Sequence, residues 1–303
     1  MTSDPDRCER IGVIGEILLE RYTVQAELGE GGMGVVYRAV DDRGQPVAIK
    51  RLHAAVATSP DLTARFQREA AAQAMLSHPN IAALHAVGVT DDGGMFFVME
   101  LIDGHDLATE LEHGPLVPAR AVALTRQLLS GLHHAHQFGL VHRDLKPENV
   151  LLARGSSRAG SDAPPAAEQV KIIDFGLVKM LDDVLGPSEC QRLTRTGMVF
   201  GTPDYMAPEQ IMAESVDART DLYAVGIILF ELLTGQRPFE FEEVTDLWRA
   251  HLGSDPPSLA SIEPSLAKYP DLDDIVRTLL AKLPDERFGS ALAARRALES
   301  VSI

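Results

Sequence analysis

A few polar residues stand at the edges of apolar runs, in types and spacings that suit phosphate chemistry. Lys50 ends the strand-like run Val47-Ala48-Ile49. Asp144, Lys146 and Asn149 sit within "VHRDLKPENVLL", and Asp174 ends "VKIID" just before Phe175-Gly176. A carboxylate such as Asp144 accepts a proton from a hydroxyl, and an ammonium such as Lys146 neutralises charge on a moving phosphoryl group. The Asn149 amide oxygen and the Asp174 carboxylate are hard oxygen donors of the kind that suit Mg²⁺.

Two further patterns bear on the same chemistry. "LGEGGMGVVY" holds Gly29, Gly31, Gly34 and Val36. Glycines let a backbone approach phosphates closely. The run joins two apparent strands, whereas a dinucleotide fold places it between a strand and a helix. It therefore reads as a hairpin flap over phosphates. Downstream, Leu62, Phe66, Glu69, Gln73 and Leu76 form one stripe at helical spacing. Glu69 on that inward face needs a cationic partner, and Lys50 is the obvious one.

In this order, with Ala207-Pro208-Glu209 after them, these motifs resemble the eukaryotic-like serine/threonine protein kinases found in bacteria, over roughly residues 22–300. The resemblance implies ATP-dependent phosphoryl transfer to Ser or Thr hydroxyls of proteins, with Mg²⁺ as the metal and Mn²⁺ as a substitute. It implies that Val36, Ala48 and Leu151 sandwich the adenine, with Leu28, Gly29, Gly31 and Gly34 in the flap. Met99 stands as gatekeeper, the backbones of Glu100 and Ile102 meet the adenine edge, and Asp106 meets the ribose. Lys50, paired with Glu69, holds the α/β-phosphates, and Asn149 and Asp174 hold the metal. Asp144 is the base, assisted by Lys146, with Thr202 bonding toward both. Lys146, two residues after the aspartate, and "GTPDYMAPE" resemble the serine/threonine class. Arg143 implies a partner phosphate on the activation segment, where Thr194 and Thr196 are the candidates. Asp221 resembles a brace for the catalytic loop, and Glu209 resembles a partner of Arg287. The alternative is a pseudokinase or scaffold that binds nucleotide without transfer. A pseudokinase typically lacks one of Lys50, Glu69, Asp144, Asn149 and Asp174, and all are present. A third reading, a small-molecule phosphotransferase, fits the flap and substrate segment less well.

The elements that must position these groups follow from periodicity. Strand patterns dominate from Tyr22 to Met99, with a helix over 62–77. Helices dominate after Glu100, with one short β pair around 148–153 and 170–174. The expected class is α+β. The resemblance implies a bilobal kinase fold with a β-rich N-lobe (21–99) carrying one main helix, a hinge (100–106) and a mostly helical C-lobe (107–302), the nucleotide cleft lying between them. Residues 1–20 read as an N-terminal extension with a short helix. The Ser/Ala/Gly/Pro tract within 154–169 reads as a flexible insertion in the hairpin between the metal-ligand strands, since both flanks serve one active site.

The 303-residue chain carries a net charge of −16, which argues against nucleic acid or an anionic membrane as partner. The run Ala224–Leu233 is too short to span a bilayer. Cys8 and Cys190 read as free thiols in a reducing cytoplasm. The clustered His133, His134, His136 and His142 lack the further ligands zinc needs, and His142 reads as a packing residue that orients the catalytic loop. A homodimer for trans-autophosphorylation is compatible with the family resemblance.

Overall fold

Alternating apolar residues from Tyr22 to Val98 build a sheet with one greasy face. The computed structural model describes residues 14–31, 34–52, 73–90, 94–153, 168–175 and 203–303. Its strands are β1 (Ile17–Leu18), β2 (Tyr22–Gly31), β3 (Gly34–Val40), β4 (Pro46–Leu52), β5 (Leu84–Val89) and β6 (Met95–Glu100). They form an antiparallel sheet in the order β1-β2-β3-β4-β6-β5. Tyr22, Val24, Val35, Tyr37, Ala39, Val47, Ile49, Phe96 and Val98 make its core. Two register shifts bend β2, between Val24 and Ala26 and between Glu27 and Gly29.

Residues 17–18 depart from the expected helix. Ile17 and Leu18 pair with Thr23 and Tyr22 across a tight turn in which Leu19 and Glu20 take positive φ. Burying Leu18 against the sheet core decides the matter, since a helix there would point it elsewhere. Of the expected helix over 62–77, only its end is described; Gln73 and Leu76 are buried, as an inward stripe requires.

Backbone contacts divide the chain into two units. The sheet above belongs to the first. The second contains β7 (Gly104–Asp106), β8 (Val150–Ala153) and β9 (Gln169–Ile172), in the order β7-β8-β9. Residues 104–106, read as hinge from the sequence, are therefore a strand. Gly104 permits it: a Cβ there would lie 2.1 Å from the Leu152 carbonyl oxygen. Ala153 pairs directly with Gln169, so the tract lies between two partnered strand ends. Arg120 grips Glu168 at its base through two hydrogen bonds of 2.8 and 2.6 Å.

Helices make up most of the second unit: α1 (Leu107–Leu111), α2 (Pro118–Gln137), α3 (Pro208–Ile211), α4 (Ala218–Thr234), α5 (Val244–Gly253), α6 (Leu259–Ile262), α7 (Pro270–Leu279) and α8 (Ala291–Ser300). Pro118 opens α2, where its missing N–H costs nothing. The Asp217 side chain caps α4 at its start, and Gly235 ends it in the left-handed conformation. Apolar on nearly every side, α4 packs against α2 and α7, which explains its burial throughout. No helix among the described residues is long and apolar enough to cross a membrane.

Close α4–α7 packing rests on Gly226. A Cβ there would come 2.8 Å from Leu279 Cβ, an atom fixed to its own backbone. Gly226→Ala gains about 1 kcal/mol of helix propensity but overpacks this contact, which typically costs about 1–3 kcal/mol. A lower midpoint of thermal unfolding is expected; a raised one would contradict the packing.

Candidate functional site

In the first unit, sheet register places the nucleotide candidates on one face. Val36 pairs with Lys50, and Ala48 pairs with Met99. Strand alternation puts Val36, Ala48 and Lys50 opposite to the core residues Val35, Val47 and Ile49. Lys50 is nevertheless buried, at 8% exposure. The flap is the β2–β3 hairpin, where Gly29 faces Val36 and Gly31 faces Gly34. At Gly34 a Cβ would meet the Arg51 carbonyl oxygen at 2.1 Å, so the hairpin closes onto β4 only with glycine. Leu28 is exposed. At the end of β6, Glu100 donates its N–H to the Ala83 carbonyl at 2.9 Å, and its side chain accepts from the Ala83 N–H. Ile102 follows the strand.

In the second unit the polar candidates gather around one loop. Asn149 donates from Nδ2 to the Asp144 carbonyl at 2.7 Å. That turns its amide nitrogen toward the loop and leaves Oδ1 as the atom for a cation. Lys146 Nζ lies 3.8 Å from Asp144 Oδ2. Val150 pairs with Ile172, and the Ile173 N–H donates to the Asn149 carbonyl at 3.0 Å. The ladder thus brings Asn149 and Asp174 to the same end of β8–β9. Asp174 takes a positive φ of 57°, a conformation costly for a non-glycine residue. An amide oxygen and a carboxylate at one strand end fit a hard divalent cation. At the same end of this small sheet Asp106 pairs with Leu151, and one Asp106 oxygen caps α1 by accepting the Thr109 N–H at 2.7 Å.

The loop's conformation depends on α4. Asp221, in its first turn and 1% exposed, accepts the N–H groups of His142 at 2.9 Å and Arg143 at 3.0 Å. His136 Nε2 bonds its Oδ2 at 2.7 Å. Burial pushes the Asp221 carboxyl up, but His136 and the loop N–H groups more than offset it and hold it below the ordinary value. His142 is fully buried, hydrogen-bonds through Nε2 to the Ile173 carbonyl at 3.0 Å and meets Phe175 edge-on. One imidazole thereby ties the Asp144 loop to the Asp174 strand end. Arg143 has φ 68°; its carbonyl accepts from Gln210 Nε2 at 2.8 Å. Its buried Nε has no hydrogen-bond partner among the described residues.

A second lock lies behind the loop. Arg287 donates to both oxygens of Glu209 at 2.8 Å, and Thr220 donates to the same carboxylate. Burial raises the Glu209 carboxyl; the guanidinium overcomes this and holds it below the ordinary range.

Sequence reading missed two parts of this arrangement. His136 appeared there only within a histidine cluster, and Gln210, which bridges the Ala207 N–H and the Arg143 carbonyl, did not appear. The available signal for His136 was its position near the end of α2, six residues before His142. Glu69, Thr194, Thr196 and Thr202 lie outside the described residues.

Comparison with known proteins finds that a profile of the protein kinase domain matches residues 22–300. The chain is 38% identical over 291 residues to the serine/threonine-protein kinase pkn3 of Myxococcus xanthus, covering 95% of this chain and 51% of that protein. It is 36% identical to the serine/threonine-protein kinase PknL of Mycobacterium bovis, covering 94% and 67%. It thus spans about half the length of pkn3. The crystal structure of the Mycobacterium tuberculosis PknI kinase domain superposes with a TM-score of 0.70 at 28% identity, covering 94% of this chain and 98% of that one.

Glu209→Gln tests the second lock. Breaking a buried pair by neutralising one partner typically costs about 3–5 kcal/mol, read as a lower urea midpoint. Because the folded-state value is depressed, this stabilisation is complete above about pH 4.3, the value of an unperturbed glutamate, and drains as pH falls through the folded value. The variant is expected to show a shallower loss of stability on acidification than the parent chain.

Proposed function

The chain belongs to the protein kinase family, in the eukaryotic-like serine/threonine form found in bacteria, and we propose that it transfers the γ-phosphoryl group of ATP to Ser or Thr hydroxyls of proteins. Family membership supports ATP and a divalent cation as its requirements; we take the cation to be Mg²⁺, with Mn²⁺ as a substitute. The observation that carries the reading is the Asn149–Asp144 hydrogen bond, which sets a metal-ligand candidate and a base candidate on one braced loop.

In this reading Asp144 orients the acceptor hydroxyl and takes its proton as the oxygen attacks the γ-phosphorus and the bond to the ADP oxygen breaks. Lys146 offsets charge on the transferring group. Asn149 and Asp174 would hold the cation, which when bound neutralises phosphate charge. Lys50, paired with Glu69, holds the α/β-phosphates, under the flap formed by Leu28, Gly29, Gly31 and Gly34. Val36, Ala48 and Leu151 enclose the adenine beside Met99, its edge meets the backbones of Glu100 and Ile102, and Asp106 meets the ribose through the oxygen that does not cap α1. Thr202 bonds toward Asp144 and Lys146.

Arg143 is the regulatory group. Its buried Nε, without a hydrogen-bond partner among the described residues, suits a phosphate on Thr194 or Thr196, whose capture orders the segment beside the catalytic loop. Phosphorylation of one copy by another makes a homodimer the activating species. The net charge of −16 supports protein substrates over nucleic acid, and the cytoplasm, rich in ATP, is the proposed site of action.

Labelling from [γ-³²P]ATP tests the assignment. Asp144→Asn is expected to lose about 10²–10⁴-fold in rate, and Lys50→Met to lose transfer nearly completely. Parent-like transfer in either variant overturns it. After ATP incubation, mass spectrometry is expected to find phosphate on Thr194 or Thr196, and the double alanine variant to lag in activity. Full activity there would remove the switch while leaving the transferase reading in place.

A further inference from the structure

Residues 78–81 belong to the second unit, where Ile81 bridges Ile172 along the edge of β9. Asn80 fastens this segment to the strand. Its carbonyl accepts the Ile172 N–H at 2.9 Å, and its Nδ2 donates to the Val170 carbonyl at 2.9 Å and to Gln127 Oε1 at 3.1 Å. Gly131 of α2 permits the close fit, since a Cβ there would lie 3.0 Å from the Asn80 carbonyl oxygen. Ile172 leads directly into Ile173, whose N–H and carbonyl bond Asn149 and His142, and so to Asp174. Asn80 is in turn held by His78, because its N–H donates to His78 Nδ1 at 3.1 Å. A ring nitrogen that accepts a backbone N–H carries no proton, so this bond exists only with the neutral imidazole. The proton of that tautomer sits on Nε2, which faces Ser130 Oγ at 3.4 Å.

We propose that His78 is a proton-sensitive latch: when neutral it holds Asn80 against β9, and when protonated it releases Asn80 and lowers phosphoryl transfer. The effect on transfer rests on the kinase reading above; the latch itself does not. A second proton on the ring would set two donors, Nδ1–H and the Asn80 N–H, against each other. The Asn80 N–H would then lose its acceptor, and the strand that leads to Asp174 would lose a support.

The surroundings oppose that second proton as well. The His134 ring of α2 stacks on His78 with centres 5.2 Å apart. Arg295 of α8 donates to the Ser130 hydroxyl that Nε2 faces, at 3.3 Å, and its charge is partly offset by Glu299 at 3.4 Å. His133 of α2 and Lys171 of β9 act from farther away. Burial first, then His134, Arg295, His133 and Lys171, hold the His78 imidazole below its ordinary value. Because the folded-state value is depressed, the latch is complete above about pH 6.5, the value of a free imidazole, and weakens as pH falls toward the folded value.

Amide hydrogen exchange at Asn80 and Ile172 tests the latch, followed by NMR from about pH 7.5 down to about pH 5.5. In the parent chain their protection, corrected for the intrinsic pH dependence of exchange, is expected to fall by up to about 10-fold, the limit that a free imidazole near 6.5 sets. His78→Asn supplies an acceptor that does not titrate, since an asparagine side chain also bonds the N–H two residues on. It is expected to keep parent-like transfer at neutral pH, to hold protection nearly constant on acidification, and to lose less transfer than the parent chain. His78→Ala lacks the acceptor and is expected to show weak protection at every pH. Protection that falls equally in the parent chain and in His78→Asn overturns the latch. So does an NMR titration that places His78 in the parent chain at or above about 6.5, a measurement that needs no variant. Absence of transfer at every pH would overturn the kinase reading instead, and the exchange data would still decide the latch.

Discussion

Asp221 holds a carboxylate that is 1% exposed, and the loop that carries Asp144 takes its shape from it. Two successive backbone N–H groups, from His142 and Arg143, converge on its oxygens, and His136 adds a third donor. A buried anion is costly unless its lone pairs are filled. The loop supplies those donors only in the bent path that includes Arg143 at positive φ. The strain at Arg143 and the burial of Asp221 therefore sustain each other: neither arrangement is favourable alone.

From that anchor the remaining geometry propagates through short links. His142, held by its backbone to Asp221, uses its ring to reach the Ile173 carbonyl. Asn149 closes the loop from the other side through the Asp144 carbonyl. Base candidate and metal-ligand candidates are thereby referred to one helix, α4, which is apolar almost all round and packed on several sides. The Glu209–Arg287 pair steadies the same helix through Thr220 and the Arg219 carbonyl. Rigidity in the scaffold suits phosphoryl transfer, in which positioning and charge neutralisation supply most of the rate.

Much of this was legible from residue types. Lys50, Asp144, Asn149 and Asp174 stood out because polar groups at the ends of apolar strands need a reason to be there. The core alternation from Val35 to Val98 was equally plain. Strand β7 was not, because "GHD" is too short and too polar to show a period; it exists because Gly104 lets β8 approach. The strand at Ile17–Leu18 read as helix for a related reason: a brief apolar run has no periodicity of its own, and the sheet beside it decides. The tract near 154–169 read as an insertion in one hairpin, and the strands that flank it pair directly, Ala153 with Gln169.

By itself the sequence determined which groups exist and in what order: the glycines of the flap, the lysine at a strand end, the aspartates and asparagine, and the apolar periods that separate a strand-rich part from a helical one. Those are local properties, set by side-chain chemistry and backbone preference. Only the tertiary structure decided which distant groups meet. Asp221 lies 79 residues from His142, and Arg287 lies 78 from Glu209. No local pattern encodes such pairings. They follow from burying charged groups that must find partners wherever the packed helices bring them.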